Sequence, residues 1–336
     1  MSPLLIILAL LLGSAATIYF ACEFFVNGVE WVGRRMSVGS TATATILAAF
    51  GTALPESVIT FVAVAFGKSD GQRELGVGAA LGGPLVLSTI AYATVGATLL
   101  LSGQHLQRTR KVRDEFQRLS RDQSWFLGIF LVKLAVGLVA FAFKPWLGIA
   151  FLAAYALYFW KEVSRDDSGE TEEVLEPLII ARKALGPPSL LLSSLQTGAA
   201  LVVIFAASRL FVSQLDALGP FLGLRPQLLA LLLSPIATEL PETMNAIIWV
   251  RQGKHRLALA NISGAMMIQA TVPTAFGLFF TSWMLDRSLI LGGGITALAV
   301  TVMFISFRRG VISRGFLASM ALFYALFAGL LALLHL

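Results

Sequence analysis

The chain has 336 residues, 57% of them hydrophobic and 13% charged, with a mean hydropathy of +0.81 and a formal net charge of +6. That balance excludes a soluble globular domain and defines an integral membrane protein. The single cysteine, Cys22, excludes a disulfide framework or a thiolate cluster, and the scattered His105, His255 and His335 leave a zinc site or a Ser-His triad short of parts.

Stretches of roughly 20 apolar residues, the length that crosses a bilayer, fall near 3–31, 38–67, 75–101, 124–143, 145–161, 188–217, 223–250, 256–281, 287–307 and 312–335. The first offers small residues at Ser14-Ala15-Ala16, as a secretory signal would, but no basic segment follows Met1-Ser2-Pro3, so it reads as a retained span. Basic residues collect in every second connection: Arg34 and Arg35, Arg108 to Arg121, Lys161 to Lys183, Arg251 to Arg256, and Arg308 to Arg314. The positive-inside rule makes that side cytoplasmic and puts both termini outside. Basic loops explain the net charge as a topology signal, so no nucleic-acid partner is expected. The connection 104–123 is mixed but basic and reads as a short cytoplasmic helix. Arg165-Asp166-Asp167-Ser168-Gly169-Glu170-Thr171-Glu172-Glu173 lacks the ligand spacing of a calcium loop and reads as a solvated linker.

One short phrase occurs twice: Phe50-Gly51-Thr52-Ala53-Leu54-Pro55-Glu56-Ser57 in the second span and Ile236-Ala237-Thr238-Glu239-Leu240-Pro241-Glu242-Thr243 in the seventh. An intramembrane carboxylate is costly and a proline removes a backbone donor, so packing alone does not call for either. The pattern predicts two broken helices with a Glu at each break. Gly67-Lys68 follows the first copy at the offset at which Gly253-Lys254 follows the second, and a small-residue helix comes next in each half, Gly76 to Ala91 and Ala258 to Pro273. The copies lie an odd number of spans apart and so enter the membrane with opposite polarity. The expected architecture is therefore all-α and polytopic, with about ten transmembrane helices in two inverted five-helix repeats whose site lies at the midplane. The first half covers 1–161, with its repeat at 38–101; a linker covers 162–187; the second half covers 188–336, with its repeat at 223–281.

Hard divalent cations take oxygen ligands, and calcium tolerates irregular cages of carboxylates and carbonyls. Glu56 and Glu242 together balance one Ca²⁺. Glu239 and Glu242 are three apart and share a helical face. Three carboxylates cannot all stay ionised in a low-dielectric site without a cation, which makes Glu239 a candidate proton carrier. Gly76, Gly78, Gly82 and Gly83 read as close helix packing. Lys133 and Arg209 are charged residues inside predicted spans; Arg209, near an outer end, is consistent with snorkelling. Glu23 and Arg209 occupy equivalent positions of the halves and are expected to pair near the pseudo-two-fold axis.

The repeated Thr-x-Leu-Pro-Glu in antiparallel halves, each followed by a small-residue helix, resembles the alpha-repeats of the sodium/calcium exchanger family, in the cation/calcium antiporter superfamily. The resemblance covers both repeats. It implies that Glu56 and Glu242, with Thr52 and Thr238 largely through backbone oxygens, form a calcium site, and that polar residues on the following helices complete sodium sites. The chain departs from the family pattern where a serine is usual, at Ala53 and Glu239. The usual Gly-Asn-x-x-Gly-Ser, with Asn or Asp four residues on, becomes Ala260-Asn261-Ile262-Ser263-Gly264-Ala265 with Gln269, and Gly78-Ala79-Ala80-Leu81-Gly82-Gly83 with Leu87. The first half has lost polar ligands and the second has gained a carboxylate. Asn261 and Gln269 read equally as ligands or as interhelical hydrogen-bond glue.

The expected function is secondary antiport of Ca²⁺, or a similar divalent cation, against a monovalent cation by alternating access, with the first and sixth spans sliding across the rest. The monovalent ion is Na⁺ by resemblance, with H⁺/Ca²⁺ exchange through Glu239 as the alternative. A degenerate cation-binding protein that does not transport is a further reading; an intramembrane hydrolase lacks a nucleophile. The protein is expected to be no enzyme and to need no cofactor. Its expected partners are inorganic cations and the lipids of a plasma or cell inner membrane.

Overall fold

The computed structural model describes residues 3–35, 40–104, 106, 110–163, 175–181 and 186–334, and the acidic run 165–173 lies outside them. Among the described residues the fold is all-helical: α1 (Pro3–Arg35), α2 (Ser40–Phe66), α3 (Asp70–Val86), a π turn (Leu87–Ala91), α4 (Tyr92–Leu101), α5 (Arg110–Leu138), α6 (Leu147–Val163), α7 (Leu190–Leu222), α8 (Pro226–Thr238), α9 (Leu240–Arg251), α10 (His255–Phe280), α11 (Arg287–Arg309), α12 (Arg314–Ser319) and α13 (Ala321–Leu333). Among the described residues, six stretches are long and apolar enough to cross a membrane: Pro3–Arg35, Asp70–Leu101, Leu190–Leu222, His255–Phe280, Arg287–Arg309 and Arg314–Leu333. The first motif copy lies within α2 and the second spans the end of α8 and the start of α9.

Helix starts follow local chemistry. Ser69, Ser189, Asp286 and Ser313 each accept a backbone N–H from the first turn of the helix they cap, at 3.1, 3.2, 2.8 and 3.1 Å. The connection expected to fold as a separate helix does not do so: α5 runs unbroken from Arg110 to Leu138. No proline interrupts that stretch, so the basic segment simply extends the span. At the far end of α5, Lys144 donates to the carbonyls of Val139 and Trp283 at 2.8 and 2.9 Å. Burial holds its ammonium below the usual lysine range.

The halves interlock. α1 packs along α7 in the most extensive helix pair, α2 packs on α10, α8 on α3, and α5 on α11. Gly78 and Gly82 make the α3–α8 crossing close, because a Cβ at either would overlap Gln227 or Pro235 and Leu231. Two apolar clusters result, and α2, α3 and α8 contribute to both. The buried carboxylates lie on that seam.

The segment 175–181 straps α1 to α7. Asn27 accepts from the Ile179 amide at 3.0 Å and donates to the Glu176 and Pro177 carbonyls, both at 3.4 Å. Gln196 accepts from the Ile180 amide at 3.0 Å and donates to Phe24 O and Asn27 Oδ1 at 2.8 and 3.0 Å. Trp31 Nε1 adds a bond to Glu176 O at 2.9 Å. Removing one side chain from such a network leaves its partners without bonds, at a cost of about 1–3 kcal/mol. Asn27→Ala should therefore lower thermal stability and speed proteolytic cleavage within 175–181; cleavage at the wild-type rate would show that the strap carries no load.

Candidate cation site

The two motif copies fold differently. In the second, α8 ends at Thr238 and α9 begins at Leu240, with Glu239 at the break (φ −95°, ψ 2°). Pro235 and Pro241, within about two turns of each other, each withhold an N–H, so the ladder fails between them. The Thr243 hydroxyl and amide take up the Glu239 carbonyl at 2.8 and 3.1 Å. The expected break in the first copy is absent: α2 passes through Pro55 as one helix. A single proline removes one bond only, and Ser57 Oγ donates to the Ala53 carbonyl nearby at 3.1 Å. In the first half the irregularity falls instead in the next span, where the π turn Leu87–Ala91 follows Pro84.

These elements bury three carboxyl groups, Glu56 and Glu239 at 1% exposure and Glu242 at 0%. Glu239 accepts from Thr238 Oγ1 and from Gln269 Nε2, both at 2.8 Å. The Glu56 carboxyl lies within hydrogen-bonding reach of that of Glu239. Two carboxyl groups bond each other only through a proton. Among the described residues no protein donor reaches either oxygen of Glu56 or Oε1 of Gln269. Both groups press on Gly83, where a Cβ would overlap the Glu56 carboxyl and come within 2.8 Å of Gln269 Oε1. The missing side chain at Gly83, which in the sequence looks like a lost ligand, is the space that the Glu56 carboxyl fills. The cluster is rich in acceptor oxygens and poor in donors.

One cation is already present. Lys133 on α5 has 0% exposure, and its Nζ donates to Ala80 O on α3 at 2.6 Å and to Gln269 O on α10 at 3.3 Å. Its charge acts on Glu56. The sequence marks Lys133 only as a charge inside a span; its place in the middle of the stretch expected at 124–143 was the available signal.

The other expected site residues are distributed as follows. Glu242, on the first turn of α9, is within electrostatic range of Cys22 on α1. The contact between Glu56 and Glu239 adds a partner that the sequence did not single out for Glu56. The side chain of Thr52 lies outside the described residues. Asn261 is 7% exposed, and among the described residues its Nδ2 has no hydrogen-bond partner. Ser263, on the same helix, is bonded to Tyr92 Oη and Gln123 Nε2 at 2.9 and 2.8 Å. No set of three His, Cys, Asp or Glu side chains among the described residues is gathered closely enough to hold a metal ion as it stands. Glu23 and Arg209 form no ion pair: Arg209 stacks over Phe66 at 5.9 Å, and Glu23 takes the hydroxyl of Tyr19, one turn away on its own helix.

A helical membrane protein with carboxylates at a proline-broken helix and its related partner belongs to the class that carries cations. The profile of the sodium/calcium exchanger protein family matches residues 6–161 and 193–333, and the chain belongs to that family. It is 23% identical to the inner membrane protein YrbG of Escherichia coli (strain K12), over 96% of this chain and 98% of YrbG. It is likewise 23% identical to the putative antiporter CaxA of Alkalimonas amylolytica, over 88% of each chain. In structure it resembles the H⁺/Ca²⁺ exchanger CAX (TM-score 0.65, 17% identity, 97% of this chain and 87% of CAX). It also resembles the sodium-calcium exchanger NCX_Mj (TM-score 0.58, 16% identity, 96% and 98%). These likenesses bear on the fold. Family membership makes the protein a membrane ion transporter of the calcium antiport class.

Proposed function

We propose that the protein exchanges Ca²⁺ for a monovalent cation at a site built by Glu56, Glu239 and Glu242. Thr238 and Gln269 orient Glu239, and Thr52 and Asn261 supply further oxygens as the site closes. The observation that carries this reading is the Glu56 carboxyl, fully buried with no protein donor on either oxygen. With Lys133 acting only through space, such a group calls for a proton or a metal cation against its oxygens.

The site lies at the midplane between two inverted halves, 1–161 and 188–336, of about ten spans, joined by the linker 162–187. The swapped packing of α2 on α10 and α8 on α3 supports that arrangement. Both termini are outside a plasma or cell inner membrane, as the basic connections require. α1 and α7 slide as a pair to expose the site alternately.

The counter-ion best supported is H⁺. Glu56 and Glu239 sit where one proton joins them, and calcium entering between them must expel it. Glu239 then carries the proton in the return step. Sodium, which the family name suggests, is the rival. Calcium uptake into proteoliposomes under an imposed proton gradient and, separately, a sodium gradient separates them. Uptake is expected under the proton gradient and should weaken as pH falls on the calcium-loading side, because protons occupy the same oxygens. Glu239→Gln should flatten that pH dependence. Uptake driven by sodium alone, with a pH response unaltered in Glu239→Gln, would overturn the proton reading.

A further inference from the structure

Lys133 has no part in the exchange as described, yet its ammonium sits among the oxygens of the site. Burying an isolated ammonium costs several kcal/mol, and this one has no exposed surface through which to reach water. Both of its hydrogen bonds are donations to main-chain carbonyls, Ala80 O at 2.6 Å and Gln269 O at 3.3 Å. An ammonium carries donors only, and carbonyl oxygens are the partners that suit it. The rings of Phe130 and Trp283 lie 5.5 and 5.8 Å from the same nitrogen and add cation–π stabilisation. Trp283 is locked there by its own bond to the Lys133 carbonyl at 3.3 Å. Backbone carbonyls of two different helices beside a carboxylate form the oxygen environment in which membrane transporters hold a bare monovalent ion.

We infer that Lys133 is a tethered cation of the transport site: its ammonium permanently fills one monovalent-ion position and thereby sets the exchange ratio. This rests on the antiporter reading above. Glu56, Glu239 and Glu242 bring three negative charges and Lys133 returns one positive, leaving a fixed charge of −2. One Ca²⁺ completes that site, and so do two monovalent cations. Each cycle then moves one divalent cation against two monovalent ones, with no net charge transferred. Without the ammonium the fixed charge is −3, and a third monovalent cation must be bound on the return step.

The test uses the full-length protein in proteoliposomes, with the membrane potential clamped by potassium and valinomycin and the monovalent gradient held constant. The steady-state calcium accumulation ratio is measured at zero and at 100 mV. For the wild type the ratio is expected to be independent of potential. For Lys133→Met it should shift about 50-fold per 100 mV, the value for one elementary charge. A wild-type ratio that moves with potential overturns the inference without recourse to any variant, so a Lys133→Met protein that failed to fold would not shelter it. A folded Lys133→Met whose ratio stays independent of potential overturns it as well. Both results leave calcium antiport standing. If the wild type accumulates no calcium under either gradient, it is the antiporter reading that fails, and the tethered cation with it.

Discussion

Glu56→Gln is expected to abolish the thermal stabilisation that calcium confers on the purified protein. A ligand at one hundred times its dissociation constant contributes about 2.7 kcal/mol, and that increment should disappear. The reason is the donor-poor surrounding of this carboxyl group. Neither oxygen takes a bond from the protein, so a metal cation or a proton is what the side chain is arranged to meet. The amide has the same shape but no charge, and it can donate to Glu239 where the acid needed a proton. The substitution also removes a carboxylate on which the buried Lys133 acts, so the calcium-dependent increment alone is the test, whatever the calcium-free baseline. Differential scanning of both proteins across a calcium titration decides the matter. An undiminished calcium response would remove Glu56 from the site.

Gly83→Val should have a comparable effect through shape. The added carbons would fall where the Glu56 carboxyl and the Gln269 amide now lie. Glu56 would have to leave its rotamer, and Gln269 would lose its hold on Glu239. A 100-fold loss of calcium affinity, about 2.7 kcal/mol, is expected by isothermal titration. Gly83→Ala should lie between the wild type and the valine variant. The graded series matters because a general packing defect would lower stability at all calcium concentrations, whereas displacement of a ligand mainly lowers affinity. Equal affinity across the series would show that the Glu56 carboxyl does not bind calcium from its position against Gly83.

The sequence made the membrane class, the long apolar helices and the intramembrane carboxylates legible, because apolar length and intramembrane charge are one-dimensional signals. Glu56, Glu239 and Glu242 could be named from cost alone: each is a group that lipid or core would reject without a reason. The partners of these groups were less visible. Gln269 is thirty residues from Glu239, and nothing in the spacing distinguishes the amide that orients a carboxyl from one that joins two helices. Gly83 looked like the loss of a ligand because a sequence records the missing side chain, not the group that occupies its volume. Lys133 was visible as a charge in a span, but its carbonyl partners come from α3 and α10, an association that only the packing of both halves creates. The symmetric break expected at the two prolines failed on local arithmetic: one copy carries Pro55 alone, while the other carries Pro235 and Pro241 around an acidic residue.

That inequality affects the working cycle. A rod and a jointed rod cannot flex alike: α2 is continuous through Pro55, while the α8–α9 segment has a joint at Glu239. Bending at Glu239 starts from a ladder the prolines have already thinned, although the Pro235 and Glu239 carbonyls remain bonded, while bending α2 would sever a fuller set. Any tilt of these two segments should therefore bend first at Glu239, one of the three buried carboxyl groups.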